Sequence, residues 1–154
     1  MKFINTKDPQ ILANLNKPVQ DLHHQKYPRF FKPYDEDVCV AFFERQLKKT
    51  NWVVFLVQMN GDNAGYASYF TKDYQENPFR KAYKSLYVDQ ICVLDGFKGK
   101  GIGKHIMHKI EEDARKAGIS HIELSYWEPN KEARGFYEHL GYNTYSRIVG
   151  KSLV

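Results

Sequence analysis

Cysteine is scarce in this 154-residue chain: Cys39 and Cys92 lie far apart and form no Cys-x-x-Cys pair. A disulfide framework is therefore not expected, and the reducing cytoplasm is the expected home. Long apolar runs are missing as well, so nothing in the chain reads as a bilayer-crossing helix or a membrane partner. The opening MKFINTKDPQ lacks the apolar core of a signal peptide. Linkers, low-complexity tracts and internal repeats are absent, and residues 1–154 read as a single domain. One-sided charge blocks are missing too. The formal charge is +5, with lysines scattered along the chain. Such a balance suits nucleic acid or an acidic small molecule; no nucleic-acid motif accompanies it, and none is expected as a partner. What is present is 42% apolar and 27% charged residues, a composition that folds around a real core.

Periodicity lays out the elements. Residues 2–6 read as a short strand. Asp8-Pro9 opens a helix running towards His23 or His24, broken near Pro18. Lys26 to Tyr34 is a loop rich in proline and aromatics, and Asp35 to Lys49 is helical with Val38, Phe42 and Leu47 near one face. Trp52–Met59 and Ala64–Thr71 read as strands joined by the turn Asn60-Gly61-Asp62-Asn63. Residues 72–82 form a polar connection with a helical turn at Asn77–Ala82, and Tyr83–Leu94 is a long strand. Ile102, Ile106, Ile110 and Ala114 make a four-residue ladder over the helix 102–117, which Gly118 stops. A strand over 119–126, a helix over 130–140 and a last strand over 142–149 complete the order. The fold class is mixed α/β, or α+β.

Between the strand ending at Leu94 and the helix starting at Ile102 lies FKGKGIGKHI. A glycine turn at a helix N-terminus offers free backbone N–H groups and a favourable dipole to an anion. The P-loop pattern fails, because Ile102 follows Gly101 where lysine is required. The dinucleotide pattern Gly-x-Gly-x-x-Gly fails as well, with Lys104 or Ile106 at the third glycine position. Lys98-Gly99-Lys100-Gly101-Ile102-Gly103 instead resembles Arg/Gln-x-x-Gly-x-Gly/Ala, the pyrophosphate loop of the GNAT superfamily of acyl-CoA-dependent N-acyltransferases. Lysine stands here for the usual first residue; it keeps the charge and loses the guanidinium fork. Residues 130–142, NKEARGFYEHLGY, are similar to the family's Asn-x-x-Ala-x-x-Phe-Tyr-x-x-x-Gly-Phe segment, with Tyr142 for the final Phe.

The resemblance implies a GNAT-like fold. Its central mixed, largely antiparallel sheet is flanked by helices and has a splayed pair of parallel strands that hold CoA. It implies transfer of acetyl from acetyl-CoA directly to a primary amine, with no metal. Lys98 to Lys104 (Lys98, Gly99, Lys100, Gly101, Ile102, Gly103, Lys104) would hold the pyrophosphate. Amides and carbonyls of Ile91, Cys92 and Val93 would pair with the pantetheine arm, and the Val93 N–H would polarise the thioester carbonyl. Asn130 and Phe136 fall to the cofactor too, and Asn130 equally suits a helix N-cap. Tyr137 is assigned as general acid to the departing thiolate; without the family it reads as one more half-buried aromatic beside Ala133, Phe136 and Leu140. Asp89, mid-strand in YVDQICV, shares a face with Ile91 and Val93 in regular alternation. It is the candidate base or ammonium anchor, in a segment similar to the spermidine/spermine N-acetyltransferases. A bulge would change its facing, and a solvent-facing or salt-bridged aspartate is the other reading.

The early helical region walls the acceptor site in the family, which assigns Phe30, Phe31 and Tyr34 to substrate, through cation–π contact; core packing is the alternative. His105 and His108 read as surface histidines and Cys92 as packing. The expected acceptor is a small amine, such as a polyamine or an amino-acid derivative. Protein or peptide acetylation and a non-catalytic acetyl-CoA-binding module are the alternatives. About a dozen residues follow Gly141, fewer than the family's two closing strands, so a homodimer is expected.

Overall fold

A computed structural model describes residues 1–153. The chain divides into two compact units, Met1–Leu124 and Ser125–Val154.

The first unit contains β1 (Lys2–Asn5), α1 (Pro9–Lys26), α2 (Glu36–Gln46), β2 (Trp52–Met59), β3 (Asp62–Tyr74), β4 (Tyr83–Val93), a 3₁₀ turn (Asp95–Phe97), α3 (Ile102–Lys116) and β5 (Ile122–Glu123). The sheet runs β1-β2-β3-β4-β5; the first three pairings are antiparallel and β4/β5 is parallel.

Local chemistry sets the helix starts. Asp8 accepts from the Gln10 and Ile11 amides at 2.9 and 3.2 Å, with Pro9 as the first helical residue. Asp35 does the same for Val38 at 3.1 Å. Pro18 lies inside α1 and does not break it. It removes one intrahelical bond, while Leu12, Ala13 and Leu15 anchor the helix in the core. In α2 the core residue is Phe43, 1% exposed, rather than Val38, which is 60% exposed. The β2–β3 turn has Asn60 and Gly61 at φ 55° and 93°, the left-handed pair a two-residue hairpin needs. β3 runs past the expected Thr71 to Tyr74, and the 75–82 connection holds a single Asn77–Arg80 bridge instead of a helical turn.

Two apolar layers enclose the sheet of this unit. Leu12, Leu15 and Phe43 from α1 and α2 pack on Trp52, Val54, Leu56, Tyr66 and Cys92. On the opposite face α3 buries Ile102, Ile106, Met107, Ile110 and Ala114, the expected ladder with Met107 added. It is tied down by Tyr69 Oη donating to Asp113 at 2.9 Å, and Lys109 stands over the Phe55 ring.

The β4/β5 ladder has two registers, Leu86 with Ile122 and Tyr87 with Glu123, so the expected strand over 119–126 is cut short. Glu123, 8% exposed, pegs it in place by accepting from Tyr74 Oη (2.6 Å), Tyr83 Oη (3.0 Å) and Ser85 Oγ (2.9 Å). Among the described residues, β4 from Val88 onward has no partner on the β5 side.

The second unit holds α4 (Lys131–His139), capped by Asn130 accepting from the Ala133 amide at 3.1 Å. Gly141, at φ 87°, ends it in a left-handed turn. The expected strand over 142–149 does not form. Its alternating pattern permits extension, but a strand exists only where a neighbour takes its N–H and C=O groups. Residues 142–149 take no strand conformation among the described residues, Tyr126 Oη and Thr144 Oγ1 lie 3.2 Å apart, and Tyr145, Ile148 and Val149 are exposed.

Candidate active site

The glycine turn is built by backbone. Gly99 and Gly101 have φ of 74° and 75°, which side-chain-bearing residues rarely adopt. Gly101 serves as the N-cap of α3 with no side-chain bond, so the first amides of the helix keep no intramolecular cap. Ile102 is buried at 2% exposure and plugs the turn into the core. Lys98 pairs with Asp95 at 2.8 Å. Lys100 donates to the Gly96 carbonyl at 3.1 Å and stands over Phe97. Gly103 and Lys104 follow on the first turn of α3, Lys104 exposed. His105 leans back on the Gly101 carbonyl, and His108 is exposed.

The strand before the turn presents a free edge. The Leu94 amide bonds Ala64 on β3, and the Cys92 carbonyl faces Gly65, where an added Cβ would lie 2.1 Å from its oxygen. Alternation then turns the N–H and C=O of Ile91 and Val93 outward, on the side where the β5 ladder has ended. Of the three residues expected to offer backbone groups to a ligand, Ile91 and Val93 point theirs to the open edge and Cys92 points its own into the sheet. The Cys92 side chain donates to the Leu15 carbonyl at 3.0 Å, and burial pushes its thiol up to about 11.

Asp89 does not share a face with Ile91 and Val93. Ser68 pairs with Gln90 and Tyr69 with Val88, leaving Asp89 as the extra residue of a bulge. The bulge turns its carboxylate to the α1/α2 side, where Oδ2 accepts from Trp52 Nε1 (3.2 Å) and Ser68 Oγ (3.5 Å). Beside it Tyr66 Oη accepts from Asn16 at 2.8 Å and donates to Gln90. Asp89 lines a cleft of about 350 Å³ with Phe42, Gln46, Lys49, Asn51, Trp52 and Phe70. None of those six was singled out as a site residue by sequence. Trp52 and Phe70 read as strand residues, Phe42 as a helix face, and no local pattern links them.

Phe30, Phe31 and Tyr34 do not line this cleft. Phe31 packs on His23 at 4.6 Å, and Tyr34 donates to the Ala13 carbonyl at 3.1 Å with Lys17 over its ring, which staples the loop to α1. Phe30 is 64% exposed beneath Arg29. In the second unit Tyr137 packs on Tyr126, Phe136 and Tyr142, and burial pushes its phenol up to about 12.

The sequence profile of the acetyltransferase (GNAT) family matches residues 16–142. The chain belongs to that family. It is 27% identical over 95 residues to an uncharacterized N-acetyltransferase in the pepI 3′ region of Lactobacillus delbrueckii subsp. lactis, covering 62% of this chain and 54% of that protein. It is 34% identical over 58 residues to thialysine N-epsilon-acetyltransferase of Mus musculus, covering 38% of this chain and 34% of that enzyme. The chain thus spans about half or less of the length of these relatives. Among solved structures, a mutant of the BH1408 protein from Bacillus halodurans superimposes with a TM-score of 0.92 at 20% identity, covering all of both chains. A "predicted acetyltransferase" from Clostridium acetobutylicum, with acetyl-CoA, superimposes at 0.71 and 16% identity over 99% of this chain and 94% of that one. At such identities the likeness establishes the fold alone.

Proposed function

We propose that this chain transfers the acetyl group of acetyl-CoA to the primary amine of a small molecule. The observation that carries the reading is the open edge of β4 at Ile91 and Val93, leading into a glycine turn whose helix start has no cap. Unused amides in a row suit an amide-rich arm ending in phosphates. The solved relative with acetyl-CoA and the curated relative acting on thialysine support this donor and a small acceptor.

Acetyl-CoA, when bound, supplies an activated acetyl group. Amides from Gly99 to Lys104 hold its phosphates, with Lys98, Lys100 and Lys104 adding charge. The Val93 N–H donates to the acetyl oxygen, as an oxyanion-hole donor does. Asp89 anchors the acceptor ammonium and takes its proton, directly or through water, since an alkylamine with a pKa of about 10.4 arrives charged. Tyr137 holds its proton at neutral pH and gives it to the leaving sulfur. Residues 1–154 make a single N-acetyltransferase domain, working in the cytoplasm and as a homodimer.

The test is a thermal-shift titration with acetyl-CoA and CoA against ATP and NAD, followed by turnover of Tyr137→Phe. Stabilisation by both CoA species and not by NAD is expected. Tyr137→Phe should keep that stabilisation and lower kcat by about 10²-fold or more. No shift with either CoA species would sink the reading; a shift with no turnover of any amine would leave a binding module.

A further inference from the structure

We infer that the acceptor is a small amine that also carries a carboxylate, with Lys49 as the residue selecting it. The inference deepens the acetyltransferase reading and rests on it. The cleft at Asp89 has seven lining residues, and only two bear formal charge: Asp89 on β4 and Lys49 just past α2. Their charges are opposite, and no ion pair joins them. Asp89 is held by neutral donors, the Trp52 indole and the Ser68 hydroxyl. A carboxylate has about four acceptor sites, so capacity remains for an ammonium. Lys49 shows no side-chain hydrogen bond or ion pair among the described residues and brings a full set of donors to the same cleft.

The rest of the lining is Phe42, Trp52 and Phe70 with the amide residues Gln46 and Asn51. Such a wall suits a short aliphatic or aromatic stem carrying a polar end group. The volume, about 350 Å³, is that of a small-ligand cleft. A diamine would bring its second ammonium into the field of Lys49, where like charges repel. A carboxylated amine matches the cleft at both ends. Discrimination between such acceptors therefore lies in the sign of residue 49.

Matched acceptors that differ only in the carboxylate give the test: lysine, lysinamide and cadaverine; ornithine and putrescine; phenylalanine and phenethylamine. Release of free CoA thiol is followed for the wild type, Lys49→Ala and Lys49→Glu. Lys49 is exposed, and an unchanged thermal shift with acetyl-CoA shows that each variant folds. The wild type should favour the carboxylated members by about five-fold in kcat/KM, the upper range for an exposed ion pair. Lys49→Ala should abolish that preference, and Lys49→Glu should reverse it towards cadaverine and putrescine. Equal rates across the pairs in the wild type, or a preference untouched by Lys49→Glu, would overturn the inference and leave the acetyltransferase reading standing. Stabilisation by acetyl-CoA with no pair turned over would overturn it too. No stabilisation by acetyl-CoA would instead bring down the reading beneath it.

Discussion

The glycine turn and the Asp89 cleft both attach to β4, yet they are made in opposite ways. The turn is contiguous: two left-handed glycines, an uncapped helix start and one buried isoleucine within Gly99–Gly103. Its geometry comes from backbone conformation, and its lysines rest on nearby carbonyls and carboxylates. The cleft is assembled from seven side chains spread over residues 42–89, on a helix, the loop after it and three strands. A contiguous site depends on which residues can adopt a rare φ. An assembled site depends on register, and here a single bulge decides where the carboxylate points.

The largest effect expected from breaking this contrast is at the cleft. Asp89→Asn should lower kcat/KM for the amine by about 10²-fold and leave stabilisation by acetyl-CoA unchanged. An equal loss of acetyl-CoA binding would mean the two sites are not separable. Next comes the turn: Gly101→Val places a β-branched residue at φ 75°, at a cost of about 1–2 kcal/mol, and crowds the amides. Its signature is a lost thermal shift with acetyl-CoA in a chain that still folds.

Smaller effects sharpen the picture. Trp52→Phe removes the indole donor to Asp89 and should cost about five-fold in kcat/KM for the amine, with the KM for acetyl-CoA unmoved. The alkaline limb of stability is the last. Folding raises the Cys92 thiol from 9.0 to about 11, so the folded chain holds this proton more tightly than the unfolded chain. The stabilisation is complete below pH 9 and is lost as pH rises towards 11, amounting to about 2–3 kcal/mol. Urea unfolding at pH 8 and pH 11 should show a steeper loss in the wild type than in Cys92→Ala.

Much of the turn was legible in the residues. The ladder Ile102, Ile106, Ile110 and Ala114 is buried as its spacing requires, and Asn60-Gly61 turns the hairpin through the φ values those residues tolerate. The cleft was not legible. Asp89 stood out as a charge in a strand, but alternation put it beside Ile91 and Val93. The bulge opposite Ser68 and Tyr69 put it beside Trp52. The family resemblance assigns Phe30, Phe31 and Tyr34 to the acceptor wall, with core packing as the alternative, and in the fold Phe31 and Tyr34 hold a loop to α1. The sequence over 142–149 alternates like a strand, and the described residues there form none, because alternation alone does not supply a neighbouring edge.

The sequence by itself determined what is local: helix caps at Asp8, Asp35 and Asn130, the hairpin turn, the amphipathic α3 and the glycine turn before it. Each follows from dihedral preference and near-neighbour hydrogen bonding, which act within a few residues. The tertiary structure alone decided how far β5 pairs with β4, which edge of β4 stays open and which side of the sheet receives Asp89. Those outcomes rest on strand register and cross-strand contacts between residues dozens of positions apart, such as Glu123 with Tyr74 and Asp89 with Trp52.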